Sequence, residues 1–133
     1  MPTKILAVDD AKAMRLFVQR ALSGHACDIT ESTNGYNALF AMERGLPDLI
    51  LLDVNMPVMG GVELLEMLKS KPELTAIPVI MLASPADHAV LPKIRALGVA
   101  AILMKPIAEA TLLAAVASVV KLRPLTAAQP PRA

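Results

Sequence analysis

The sequence predicts an α/β domain built on an open, doubly wound parallel sheet. Three observations carry that prediction: four short continuous apolar runs, amphipathic stripes between them, and glycine or proline at the junctions. Strands of a parallel sheet are covered on both faces, so they read as unbroken apolar runs instead of alternating ones. Strand and helix alternate five times along the chain, and such alternation implies right-handed crossovers with helices on both faces of the sheet.

The four apolar runs are Ile5 to Val8, Leu49 to Leu52, Val79 to Ala83 and Ala101 to Met104. A weaker alternating stretch, Ala26 to Glu31, reads as an edge strand. Between them the period becomes 3.6: Met14, Phe17, Val18, Ala21 and Leu22 form one stripe, Ala38, Leu39 and Met42 a second, and Leu64, Leu65 and Leu68 a third. A fourth helix is expected before Gly98, starting at about Leu91 so that Pro92 falls in its first turn, where the missing N–H costs nothing. The fifth carries Leu112, Leu113, Val116, Val119 and Val120. Gly24, Gly45 and Gly98 are expected as left-handed C-terminal caps. Met56, Met81 and Met104 read as fillers of core gaps.

At 133 residues the chain has room for one domain. Residues 1–122 are expected to form it, and 123–133, with Pro124, Pro130 and Pro131, read as a flexible tail. No apolar run approaches the ~20 residues that cross a bilayer, so membrane insertion is not expected. The single cysteine, Cys27, excludes an internal disulfide and fits a reducing cytoplasm. The net charge of +1 hides an asymmetry, because Lys121, Arg123 and Arg132 leave residues 1–120 at −2. With Phe17, Tyr36 and Phe40 as the aromatic set and no basic patch, direct nucleic-acid binding is not expected. His25 and His88 have no second ligand at metal spacing and read as loop residues.

Ligands of open α/β sheets bind beyond the carboxyl ends of the strands, and four of the five strands here end in a reactive side chain. They are Asp9 and Asp10, Asp53, Ser84, and Lys105 followed by Pro106. Alone, each has an ordinary explanation as a cap, a turn or a solvated charge. Together they gather three carboxylates, a hydroxyl and an ammonium. Carboxylates at that density raise one another's pKa unless a cation joins them, and magnesium suits oxygen ligands while leaving a position for a phosphoryl oxygen.

From about Lys4 to Val120 the chain resembles the receiver domain of bacterial two-component response regulators. Val8-Asp9-Asp10 resembles the family's acidic pair, and Leu52-Asp53-Val54-Asn55-Met56-Pro57 its phosphoacceptor segment. Gly61 matches its turn glycine, Ala83-Ser84 its hydroxyl switch, and Lys105-Pro106 its lysine and proline. The resemblance implies a flavodoxin-like receiver fold with five helices and strand order 2-1-3-4-5. It implies that Asp53 accepts a phosphoryl group from a sensor histidine kinase or a phosphotransfer protein, with Asp9, Asp10, Asp53 and the Asn55 carbonyl around Mg2+. Lys105 and Ser84 would contact the phosphoryl oxygens, and Pro57, Gly61 and Pro106 would shape the supporting turns. The resemblance implies a stand-alone phosphoprotein that catalyses only its own phosphorylation and dephosphorylation, then signals to a downstream protein.

The chain departs from the family in places. Ile102 stands where a switch aromatic is usual, Pro85 follows the hydroxyl residue, and Gly60 occupies a position often acidic. Ile102 and Pro85 favour, as the alternative, a receiver-like binding module that acts without phosphorylation. A phosphatase of the haloacid dehalogenase type would need an acid two residues after the nucleophile, where this chain has Asn55. A flavin site would not place Asp9 and Asp10 in its phosphate loop, and the glycine-lysine motif of a P-loop is missing. Alanines beside the fifth stripe, Ala110, Ala114, Ala115 and Ala117, fit either a close-packed core helix rich in a strong helix former or a docking or homodimer face formed with the fourth helix and fifth strand.

Overall fold

A computed structural model describes residues 2–125. Along the chain run β1 (Thr3–Val8), α1 (Lys12–Leu22), β2 (Cys27–Ser32), α2 (Gly35–Glu43), β3 (Leu49–Asp53), α3 (Gly61–Ser70), β4 (Val79–Ala83), a 3-10 helix (Pro85–Val90), α4 (Leu91–Leu97), β5 (Ala101–Met104) and α5 (Glu109–Val119). All strand pairs are parallel, in the order β2-β1-β3-β4-β5.

Alternation along the central strands divides their side chains between two apolar layers. Leu6, Val8, Ile50, Leu52, Val79, Met81 and Ala83 pack with Leu64, Leu65 and Leu68 of α3 and with residues of α2 and α4. Ile5, Ala7, Leu49, Leu51, Ile80 and Leu82 face α1 and α5 through Val18, Ala21, Leu22, Leu112 and Val116. Every residue of β3 and β4 is buried. At roughly 1.5–3 kcal/mol per fully buried large aliphatic side chain, these layers dominate the stability of the fold.

Register places the functional ends of the strands side by side. Val8 pairs with Leu52, so Asp9 and Asp53 leave the sheet at the same level. Ala83 pairs with Met104, and Lys105 N donates to Ala83 O at 2.7 Å, so Ser84 and Lys105 leave it together.

Several local expectations change. Among the glycines only Gly98 has a positive φ, +96°. Gly24 and Gly45 are not left-handed caps, because α1 and α2 tighten into turns of the 3-10 kind: His25 N donates to Leu22 O and Gly45 N to Met42 O. The segment between Ser84 and Leu91 is a 3-10 helix leading directly into α4. Met104 is 43% exposed, since β5 is an edge strand, so it fills no core gap as Met81 does. Past residue 122, Ala26 N donates to Arg123 O and Leu125 N to Gly24 O, at 2.7 and 2.8 Å. The start of the expected tail is therefore bonded to the α1–β2 turn; residues 126–133 lie outside the described residues.

Candidate phosphoacceptor site

The carboxyl ends of β1, β3 and β5 meet around Lys105. Its Nζ donates to Asp53 Oδ1 at 2.8 Å and to Asp9 Oδ2 at 3.3 Å. Asp9 and Asp53 are 2% and 4% exposed, whereas Asp10 is open to solvent. One oxygen from each of Asp9, Asp10 and Asp53 lies within 4.8 Å of the others. Three carboxylates thus face one ammonium.

Charge and burial act together on this cluster. Burial pushes the Asp53 carboxyl above its ordinary value; the Lys105 hydrogen bond opposes the rise, and the charges of Asp9 and Asp10 add to it. Burial pulls the Lys105 ammonium down, but the bond to Asp53 and the charge of Asp9 outweigh it, so its pKa is raised. Both groups therefore hold their protons more tightly, Asp53 chiefly because it is buried and Lys105 because carboxylates surround it.

The loops are fixed by backbone geometry. Asp9 Oδ1 accepts from Ala11 N at 2.9 Å, and Asp9 O accepts from Arg15 Nη1 at 2.8 Å. Arg15 is in turn anchored by Glu31 at 2.7 Å. Gly61 N donates to Val54 O, and the first turn of α3 rests on the end of β3. Pro57 O accepts from Met59 N across Val58, whose φ is +68°. That is a γ-turn of the strained hand, centred on a β-branched residue. The Lys105–Pro106 peptide bond is cis.

Ser84 follows β4 and is half-buried, and its hydroxyl donates to Asp87 Oδ2 at 3.1 Å. The Asn55 side chain also turns to Asp87. Ile102, in the place of the expected aromatic, packs on the layer that includes α3 and α4.

The model of the response regulator receiver domain matches residues 5–117. This chain belongs to that family. It is 34% identical over 110 residues to the chemotaxis protein CheY-3 of Vibrio cholerae serotype O1, covering 82% of this chain and 85% of that protein. The structure of chemotaxis response regulator CheY4 of Vibrio cholerae matches with a TM-score of 0.82 and 29% identity, over 90% of this chain and all of that one. The Mn2+-bound form of response regulator Rcp1 matches with a TM-score of 0.76 and 27% identity, over 86% of this chain and 89% of that one. The expected fold, with strand order 2-1-3-4-5, is the one observed.

Two residues of this receiver's site escaped the sequence reading. Asp87 was signalled by the spacing Ser84-x-x-Asp87, a capping pattern in which the acid reaches back to the Ser84 N–H at 2.8 Å. Arg15 had no comparable signal, because it meets Asp9 through a backbone carbonyl and its side-chain partner, Glu31, lies on a different element, β2.

Proposed function

We propose that this receiver is a phosphoacceptor switch in which Asp53 takes a phosphoryl group from a phosphohistidine of a sensor kinase or a phosphotransfer protein. The observation that carries the reading is the double contact of Lys105 with Asp9 and Asp53. A carboxylate oxygen of Asp53 attacks phosphorus, the phosphorus–nitrogen bond breaks, and the imidazole leaves with the nitrogen electron pair. Phosphoryl transfer is governed by positioning and charge neutralisation, and Lys105 supplies an ammonium for the incoming oxygens.

The donor set fits magnesium: three carboxylates with an excess of negative charge, two of them buried, on oxygen ligands alone. Asp9, Asp10 and Asp53, with the Asn55 backbone carbonyl, are the residues that would hold it. When bound, the ion offsets negative charge on the carboxylates and on the phosphoryl oxygens. The Mn2+-bound Rcp1 structure supports a divalent ion for this fold family. Ser84 would donate to a phosphoryl oxygen, and Pro57, Gly61 and Pro106 shape the loops. The chain acts on no other substrate; it catalyses its own phosphorylation and slow hydrolysis.

Output is by protein contact, through the face of α4, β5 and α5, where Met104, Ala110, Ala114 and Ala117 are exposed and offer a partner or a second copy small apolar groups. Among the described residues no helix is long and apolar enough to cross a membrane. Free Cys27 fits a cytoplasmic setting, and residues 1–122 form the functional unit.

One observation favours the phosphorylation-independent module: Ser84 already has a partner in Asp87. Incubation with Mg2+ and a small phosphodonor separates the two. A mass gain of one phosphoryl group that requires Mg2+ and disappears in Asp53→Ala is the result expected of the switch, and no gain would select the module.

A further inference from the structure

Asp87 is a buried carboxylate that the phosphoacceptor reading leaves without a role; it is 6% exposed. Its Oδ2 accepts from Ser84 N at 2.8 Å and from Ser84 Oγ at 3.1 Å, and its Oδ1 accepts from Asn55 Nδ2. One side chain thereby ties the residue that ends β4 to the residue two positions beyond Asp53. The Ser84 hydroxyl has a single proton to donate. It can serve Asp87 or a phosphoryl oxygen on Asp53, but not both.

We propose that Asp87 is a positioning residue, a latch that engages the Ser84 hydroxyl until a phosphoryl group competes for it. The inference rests on Asp53 being the phosphoacceptor. Release of the latch is limited in scale. When the hydroxyl turns, the bonds from Ser84 N and Asn55 to Asp87 remain, so the carboxylate keeps two donors and one charge-assisted hydrogen bond is exchanged. Asp87 also caps the 3-10 helix through Ser84 N. Capping acts on folding alone, whereas the latch acts on phosphoryl affinity and only through the Ser84 hydroxyl.

The test is calorimetric titration of Mg2+ and beryllofluoride, a tetrahedral phosphoryl mimic, into the wild type, Asp87→Ala, Ser84→Ala and the double variant. Trp is absent and the single tyrosine, Tyr36, lies on α2, so heat is a better readout than intrinsic fluorescence. Asp87→Ala is expected to bind the mimic about tenfold more tightly, the scale of one hydrogen bond to a charged acceptor. In the Ser84→Ala background the same substitution is expected to change nothing. Asp87→Asn, which keeps an acceptor oxygen for Ser84, should fall between, and it carries the test if Asp87→Ala does not fold. An equal effect in both backgrounds, or none in either, overturns the latch. A wild type that binds no mimic and gains no phosphoryl group overturns the phosphoacceptor reading itself, and the latch with it.

Discussion

Gly61 stands against the carbonyl of Asp53 so closely that a Cβ built on it would lie 2.1 Å from that oxygen. The glycine is required by contact, since its φ is not positive. It lets the first turn of α3 sit on the backbone of Asp53, so the helix positions that residue as well as covering the sheet. Gly61→Ala must therefore move either α3 or Asp53. We expect it to cost about 2–3 kcal/mol in chemical denaturation, the upper part of the overpacking range, and to slow phosphodonor labelling of Asp53. A variant with unchanged stability would show that the helix shifts freely.

The pKa directions at the site give a pH dependence with a defined sign. Asp53 binds its proton more tightly when folded than unfolded, chiefly through burial. Its contribution is thus fully present below the ordinary aspartate value, about 3.9, and is lost as pH rises through the higher folded value. In chelator, wild type and Asp53→Asn should be nearly equally stable at the acid end, and Asp53→Asn should be the more stable at neutral pH. Relief of the desolvation cost of the buried carboxylate sets the sign of the gap, with relief of the Asp9 and Asp10 repulsion adding to it. Thermal unfolding across pH, taken as the difference between the two proteins, isolates this carboxyl. Added Mg2+ should close the gap at neutral pH by stabilising the wild type.

Lys105 gives the complementary limb. Its raised pKa reflects the Asp53 bond and the Asp9 charge winning over burial, so its contribution is intact below about 10.4 and is lost as pH rises through the folded value. Lys105→Met removes the cation and leaves Asp9 and Asp53 buried without it. That variant should lose about 1–3 kcal/mol at pH 7 and should lack the alkaline loss of stability expected of the wild type. Retention of that loss would place its origin in another group.

Much of this was legible in the sequence because the relevant physics is local. β3 and β4 are buried on both faces, so continuous apolar runs mark them, and a side chain that ends such a strand must lie at the sheet's carboxyl edge. Asp9, Asp10, Asp53, Ser84 and Lys105 were placed by that rule. What stayed hidden depends on contacts between distant segments. The partner of Ser84 depends on the 3-10 turn that carries Asp87, and Arg15 bridges the backbone carbonyl of Asp9 to the Glu31 side chain on β2. Gly24 and Gly45 misled for a related reason: a glycine permits a left-handed cap, but the tertiary path of the chain decides whether one forms. Arg123 and Leu125, in a segment of tail-like composition, are bonded by backbone groups that composition does not report.

Val58 offers a stabilising change that leaves the chemistry untouched. It sits at the centre of the γ-turn with φ +68° and is 81% exposed, so its side chain contributes almost no packing to offset an unfavourable backbone. A β-branched residue is poorly tolerated in the left-handed region, at about 1–2 kcal/mol, while asparagine is enriched there because its short amide bonds locally. Glycine would relieve the strain too, but it adds entropy to the unfolded chain. Val58→Asn is therefore expected to raise stability by about 1 kcal/mol, a few degrees in melting temperature for a domain of this size, with phosphodonor labelling of Asp53 unchanged. Altered labelling at equal stability would mean that the strain at Val58 is transmitted along the Asp53–Pro57 segment and tunes the site, and the turn would then have to be counted among the functional elements.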